Sequence, residues 1–284
     1  DELIIRGEKK DMIETQIKAL DFFAPLVKGG TTGLVARPGM GQLVILAELM
    51  HRFKESGFTS VFLLPKEEHS ELEGTTELAD IVTTSIEEAY QKLAHISGEA
   101  VFITDRSYII SGELLDLQEK ILSDNIEGIT TILVDLSGDV VDEEMPFGPL
   151  ETVWQLDADL ATRHMYPAIH PIYSTSSIME GTDVDQRHFG LRQRAQKLLR
   201  RYRELRSIVM VHGIQKLPEG EQTTYDRGER LEAYLTQPFY VAEKFTGPGE
   251  VVSIEQTLND VEAILEGKQD QESVEKLKFI GCLS

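Results

Sequence analysis

The sequence predicts an α/β protein: a mainly parallel sheet with flanking helices, followed by an all-helical C-terminal part. Three observations carry this. A buried strand runs through a glycine-bearing turn into a helix at residues 33–46, strands and helices alternate from there to residue 135, and beyond residue 180 the alternation gives way to amphipathic helices. The expected domains are therefore 1–180 and 181–284. A chain of 284 residues that is 41% hydrophobic is long enough to bury the cores of both.

Taken in order, residues 1–32 place Ile13, Ile17, Leu20, Phe23 and Leu26 at helix-like spacing, and Lys28-Gly29-Gly30 turns the chain into the strand at 33–36. In the next helix Leu43, Leu46, Ala47, Leu49, Met50 and Phe53 recur at threes and fours up to Gly57. Ser60-Val61-Phe62-Leu63-Leu64 reads as a second strand. The polar segment after it, 65–71, lies where an open parallel sheet places functional groups. A helix at 85–94, a strand at 99–105 that closes on Asp105, a helix at 114–122 and a strand at 128–135 complete the alternation. From Val140 to Pro149 the chain turns acidic and loop-like. Helices follow at 187–205, 221–235 and 254–265. The stretch 207–211 has strand propensity, but its helical surroundings argue against a strand.

Net charge bounds the partners. With 28 Lys+Arg against 49 Asp+Glu the chain carries −21, which argues against general nucleic-acid or acidic-membrane surfaces, both polyanionic. The basic run Arg192, Arg194, Lys197, Arg200, Arg201, Arg203 and Arg206 is interleaved with Leu191, Ala195, Leu198, Leu199 and Tyr202, so it reads as a solvated or interdomain helix face. The single cysteine, Cys282, can form no intrachain disulfide. No run reaches the roughly 18 apolar residues of a membrane span, and the first seven residues have no basic segment leading into an apolar one. A cytoplasmic protein without membrane insertion is the simplest expectation.

The turn at 36–43 has the outline of a phosphate-binding loop. In G-x-x-x-x-G-K-[ST], glycines let backbone N–H groups close on phosphate oxygens, the lysine reaches the terminal phosphates and the hydroxyl holds magnesium. Gly39 and Gly41 remain here. Ala36 stands at the first glycine, Gln42 at the lysine and Leu43 at the hydroxyl. Arg37, Gly39, Gly41, Gln42 and Leu43 are thus the candidate phosphate-binding residues of a degenerate loop, with an ordinary strand-to-helix turn as the competing reading. Asp105, at a strand end, is the candidate metal position, with a plain polar strand end as its alternative.

Four segments carry a resemblance to a known family: 17–30, Ile-Lys-Ala-Leu-Asp-Phe-Phe-Ala-Pro-Leu-Val-Lys-Gly-Gly; Leu156-Asp157-Ala158 with Tyr166-Pro167-Ala168-Ile169-His170-Pro171; Ser174-Thr175-Ser176-Ser177-Ile178-Met179; and Gln237-Pro238-Phe239-Tyr240-Val241-Ala242-Glu243-Lys244-Phe245-Thr246-Gly247. In this order they resemble the catalytic (beta) subunit of the rotary F-type ATP synthase over nearly the whole chain. The resemblance implies a RecA-like phosphate-loop NTPase core, a helical C-terminal domain, ATP or ADP as ligand, and ATP synthase-like ring subunits as partners. It also places Tyr166, Phe239 and Phe245 around adenine, and makes Glu67 the counterpart of the glutamate that orients water. The alternative for the three aromatics is that they pack the junction of the two domains.

The departures imply a paralogue without its chemistry. The family's loop lysine and threonine are Gln42 and Leu43, the arginine after its glutamate is Glu68, and that of its S-T-S-R-I-M stretch is Ser177. Its magnesium-associated aspartate corresponds to Thr104 or Asp105. The segment at 107–125 and the acidic loop at 215–221 are shortened, and nothing in this sequence corresponds to the N-terminal β-barrel. Phosphoryl transfer rests on positioning and charge neutralisation, and one such loss typically costs roughly 2–4 kcal/mol. The expectation is a pseudoenzyme that holds nucleotide or protein partners as a monomer or weak oligomer, with magnesium in doubt. The alternative is a weak Mg-dependent ATPase or synthase-type subunit using Arg37 or Lys66 in place of the lysine.

Overall fold

The structure, a computed structural model, describes residues 11–67, 70–136, 147–181 and 184–284. The N-terminal segment, Glu68 and most of the acidic stretch from Val140 lie outside the described residues.

Seven strands form the central sheet. β1 (Met12–Ile13) and β2 (Leu26–Val27) first pair antiparallel as a separate ribbon around α1 (Lys18–Phe23). There follow β3 (Thr31–Val35), α2 (Gln42–Glu55), β4 (Thr59–Leu63), α3 (Glu73–Thr76), β5 (Ile81–Thr83), α4 (Ile86–Ala94), β6 (Ala100–Asp105), α5 (Ser107–Ile110), α6 (Glu113–Ser123) and β7 (Ile129–Val134). β8 (Thr152–Gln155), α7 (Ala158–Thr162) and β9 (Thr175–Ser176) close the α/β part. The spatial order is β5-β4-β6-β7-β3-β8-β9, with every pairing parallel except β8 with β9. β3 therefore lies inside the sheet, with Gly33 opposite Leu133 on one side and Val153 on the other.

Both faces of the sheet are covered. Leu34, Ile103, Ile132, Val134 and Trp154 pack under Leu46, Leu49 and Phe53 of α2. Val61, Phe102 and Leu133 meet Ala89 and Leu93 of α4 and Leu114 and Leu117 of α6. Strands buried on both faces read as near-continuous apolar runs, which is why β4, β6 and β7 are visible in the sequence. At Gly33 a Cβ would come within 2.6 Å of the Leu150 Cδ1 methyl, so a side chain there would force Leu150 to repack.

Beyond β9 the described residues hold only helices and turns: α8 (Gln186–His212), α9 (Gln222–Tyr234), the short α10 (Glu243–Thr246) and α11 (Ile254–Leu265). Leu199, Tyr202, Leu231, Leu258 and Val261 form their core, and α1 inserts Phe22 and Phe23 into it. The molecule is thus a RecA-like α/β core followed by an all-helical region. No helix among the described residues is long and apolar enough to cross a membrane.

Two expectations change. The helix-like spacing at 13–26 yields only the six residues of α1, because Asp21 accepts hydrogen bonds from the Thr15 and Gln16 amides, Gln16 turns at φ 61°, and Pro25 follows its C-terminus. The strand propensity at 207–211 is overridden by α8, which continues through it to His212.

Candidate functional site

The loop between β3 and α2 has the backbone its glycines foretell. Gly39 and Gly41 sit at φ 81° and 90°, a region that favours glycine, and Gly41 opens α2 without any side-chain cap. Within the turn the Arg37 N–H donates to Met40 Sδ at 3.3 Å. Met40 is buried with Ile45 and Leu46 under α2, so the acceptor of the Arg37 amide is a core thioether. The Arg37 side chain is exposed and makes no ion pair or hydrogen bond among the described residues. Gln42 and Leu43 are half-buried, and Leu43 packs on the core rather than presenting a polar group.

Tyr166 stands over this loop. Its ring edge lies 3.5 Å from where a Cβ on Gly41 would be, and its hydroxyl donates to the Ala161 carbonyl at 3.3 Å. The Tyr166 carbonyl accepts from the Gln237 N–H at 3.1 Å, which draws the segment 237–250 towards the loop. Gln237 then fixes three backbone groups: its Oε1 accepts from the Lys18 N–H, and its Nε2 donates to the carbonyls of Gln16 and Glu250. The sequence signature at 237 is therefore a structural knot in its first residue.

The three aromatics meet different fates. Phe239 is buried in the sheet core, with the Arg52 guanidinium 5.8 Å from its ring centre. Phe245, on α10, is 89% exposed. Among the described residues no ring contact joins these two or links either to Tyr166. The structure thus brings Tyr166 to the glycine turn between β3 and α2, buries Phe239 in the core under α2 and leaves Phe245 in solvent.

At the acidic positions the geometry is equally specific. Asp105 accepts the Ser107 N–H on Oδ1 and the Leu136 N–H on Oδ2, both at 2.9 Å, so its carboxylate ties the end of β6 to the chain leaving β7. The neighbouring Thr104 hydroxyl is buried without a hydrogen-bond partner among the described residues. Glu67 is exposed just past β4. Lys66 beside it is held by Glu113 at 2.7 Å and lies over the Tyr108 ring. No group of three or more His, Cys, Asp or Glu among the described residues is arranged to hold a metal ion.

Sequence reasoning missed Glu48 and Arg52, a buried pair on α2 that anchors the 239–250 segment, and Met40, which enters the loop. The i,i+4 spacing of Glu48 and Arg52 was visible, but such pairs usually sit on exposed faces. A cavity of about 20 Å³, space for a single water, lies between the two parts of the molecule beside Phe23, Leu199, Arg203 and Glu232. It is not a nucleotide site.

These residues form a glycine turn between a strand and a helix, with Gln42 and Leu43 at its end, joined to a helical region. Residues 177–272 match the family described as the C-terminal domain of V and A type ATP synthase. That match covers the helical region and is to the V and A types, whereas the motifs resemble the F type. What the two share is the ATP synthase relationship, and at that level this chain is ATP synthase subunit-like.

Proposed function

We propose that the chain is an ATP synthase subunit-like pseudoenzyme: its degenerate loop does not hydrolyse ATP, and the fold serves as a nucleotide-binding or protein-interaction module. The observation that carries this reading is the Arg37 N–H bound to Met40 Sδ, in a loop that also lacks lysine and hydroxyl. The residues present offer magnesium little: Leu43 has no side-chain oxygen, and the Asp105 carboxylate is engaged by one backbone amide on each oxygen. The base and backbone elements fit ATP or ADP better, with Gly39, Gly41 and Tyr166 on one side of the loop. Likeness to the F-type catalytic subunit is the finer reading, supported by the 237–247 motif. Ring subunits of the same kind are then the natural partners.

The competing ATPase reading keeps one group. Lys66 is paired with Glu113, but Arg37 is exposed and free to move, and a guanidinium can clamp phosphate. Both readings meet in one experiment: ATP turnover with magnesium, beside calorimetric titration with ATP, ADP and adenosine, each with and without magnesium. Absent turnover, with binding indifferent to magnesium or no binding at all, supports the pseudoenzyme. Magnesium-dependent turnover by the unmodified chain that Gly41→Val abolishes overturns it. Co-purification with a ring subunit decides the partner.

A further inference from the structure

We propose that a basic groove between α8 and α9, on the helical region and apart from the phosphate loop, binds a compact polyanion of the phosphate or pyrophosphate class. The groove has a volume of about 350 Å³ and is lined by Arg194, Lys197 and Arg201 of α8 and by Thr223, Thr224 and Arg227 of α9. Positions 194, 197 and 201 are three and four residues apart, which puts three cations on one helix face. The facing helix adds a fourth cation and two hydroxyls.

The basic run on α8 divides between two faces. Arg192 donates to the carbonyls of Phe23 and Ser174, Arg203 pairs with Asp157, and Arg206 pairs with Asp159, so one face braces the α/β part. The other face opens into the groove. There Arg201 is held by Glu204 and Glu221, and Arg227 by Asp270, which fixes both guanidinium groups. Glu262 is nearby on α11, but its carboxylate is taken by Arg187. Arg194 and Lys197 make no ion pair or hydrogen bond among the described residues, and neither do the hydroxyls of Thr223 and Thr224. Arg194 feels the Glu262 carboxylate at longer range without pairing with it, and in a chain of net charge −21 two cations outside any direct ion pair, beside two hydroxyls, form a concentrated donor set.

Chemistry and size select the ligand. Guanidinium, ammonium and hydroxyl groups all donate, and phosphate oxygens accept from each of them. Leu198 and Leu265 form an apolar floor that excludes water from one side of the groove. The volume is at the small end of the roughly 300–1,000 Å³ typical of small-molecule sites, enough for one or two phosphate groups. The strongly acidic remainder of the surface opposes an extended nucleic acid.

The test is titration of the full chain with inorganic pyrophosphate, followed by backbone amide chemical shifts. The expected result is a saturable shift at residues 194–201 and 222–227, with a Kd raised about tenfold or more in Arg194→Gln/Lys197→Gln, as befits two lost charged hydrogen bonds. Arg200→Gln/Lys216→Gln removes the same charge from exposed positions that do not line the groove, and it should leave the Kd within about twofold. Shifts confined to residues 37–43, equal weakening by the two double variants, or no saturable shift up to about 10 mM would each overturn the proposal.

Discussion

Glu48 and Arg52 face each other one turn apart on α2, with Oε1 and Nε 2.8 Å apart, and neither side chain reaches solvent. Glu48 accepts from the Tyr240 and Val241 amides, while Arg52 donates to the carbonyls of Gln16 and Glu250. The helix that opens at the Gly39–Gly41 turn therefore carries the 239–250 segment and the turn at Gln16 on one buried ion pair. Breaking such a pair by removing one partner leaves the other charge uncompensated in the interior. Glu48→Ala or Arg52→Ala should each lower the unfolding free energy by about 3–5 kcal/mol, read from urea denaturation. A loss below about 1 kcal/mol would show that the pair is not the anchor.

The same pair shows where the sequence stops being legible. Strands buried on both faces announced themselves, and α4 was readable from Ser85, whose side chain accepts the Glu88 N–H at its N-terminus. β5 and β8 were not, because Ile81–Thr83 and Thr152–Gln155 are too short to show a period, and β8 finds its place only by pairing with β3. The loop glycines, Tyr166 and the 237–247 motif could be named from residues alone. That Phe239 is core and Phe245 solvent could not, since both are aromatics of one motif and only long-range packing separates them. Charged residues such as Glu48, Arg52 and Lys18 look like surface until the distant carbonyls and amides that receive them are in place.

Gly228 on α9 lies against Tyr202 on α8: a Cβ at 228 would sit 2.4 Å from the Tyr202 Cβ. In an exposed helix, replacing glycine with alanine is worth about 1 kcal/mol in the favourable direction. Here overpacking should win, and Gly228→Ala should destabilise by about 1–3 kcal/mol. Combining it with Tyr202→Gly, which removes the facing Cβ and the ring together, should recover part of that loss, so a double-mutant cycle by thermal unfolding should be non-additive. Strict additivity would mean that the two helices do not meet at this point.

Lys18 and Asp21, on the six-residue α1, both titrate near neutrality. Burial pushes the Lys18 ammonium down from 10.5 to about 7, against attraction from Asp260, and its Nζ donates to the carbonyls of Tyr234 and Ile280. Burial pushes the Asp21 carboxyl up from 3.8 to about 7, against hydrogen bonds from Thr15 and Gln16. Between pH 3.8 and 7 the folded chain keeps an Asp21 proton that the unfolded chain releases, so this group's contribution to stability falls as pH rises. Between pH 7 and 10.5 the unfolded chain binds a Lys18 proton that the folded chain has lost, and the contribution rises again. Together they favour a stability minimum near neutral pH. Subtracting the Asp21→Asn profile should remove the acid-side limb, and subtracting Lys18→Met the alkaline-side limb. Difference curves without slope would show that neither group titrates in the interior.

Phe239 and Phe245 belong to one motif, yet one is 4% exposed and the other 89%. Their substitutions should separate stability from binding. Phe239→Ala removes a core ring from beneath α2 and should cost about 3–5 kcal/mol of unfolding free energy. Phe245→Ala removes almost nothing from the folded state and should stay within about 0.5 kcal/mol. A ring that exposed gains contact area only when something stacks on it. If adenine is that partner, as in the nucleotide-binding reading, Phe245→Ala should weaken adenosine binding by the roughly 1–3 kcal/mol of one stacked ring, about 5- to 150-fold in Kd. Tyr166→Ala is the companion variant, because Tyr166 lies beside Gly41, where the base and the loop would have to meet. Unchanged adenosine affinity in both variants would remove the aromatics from any base site.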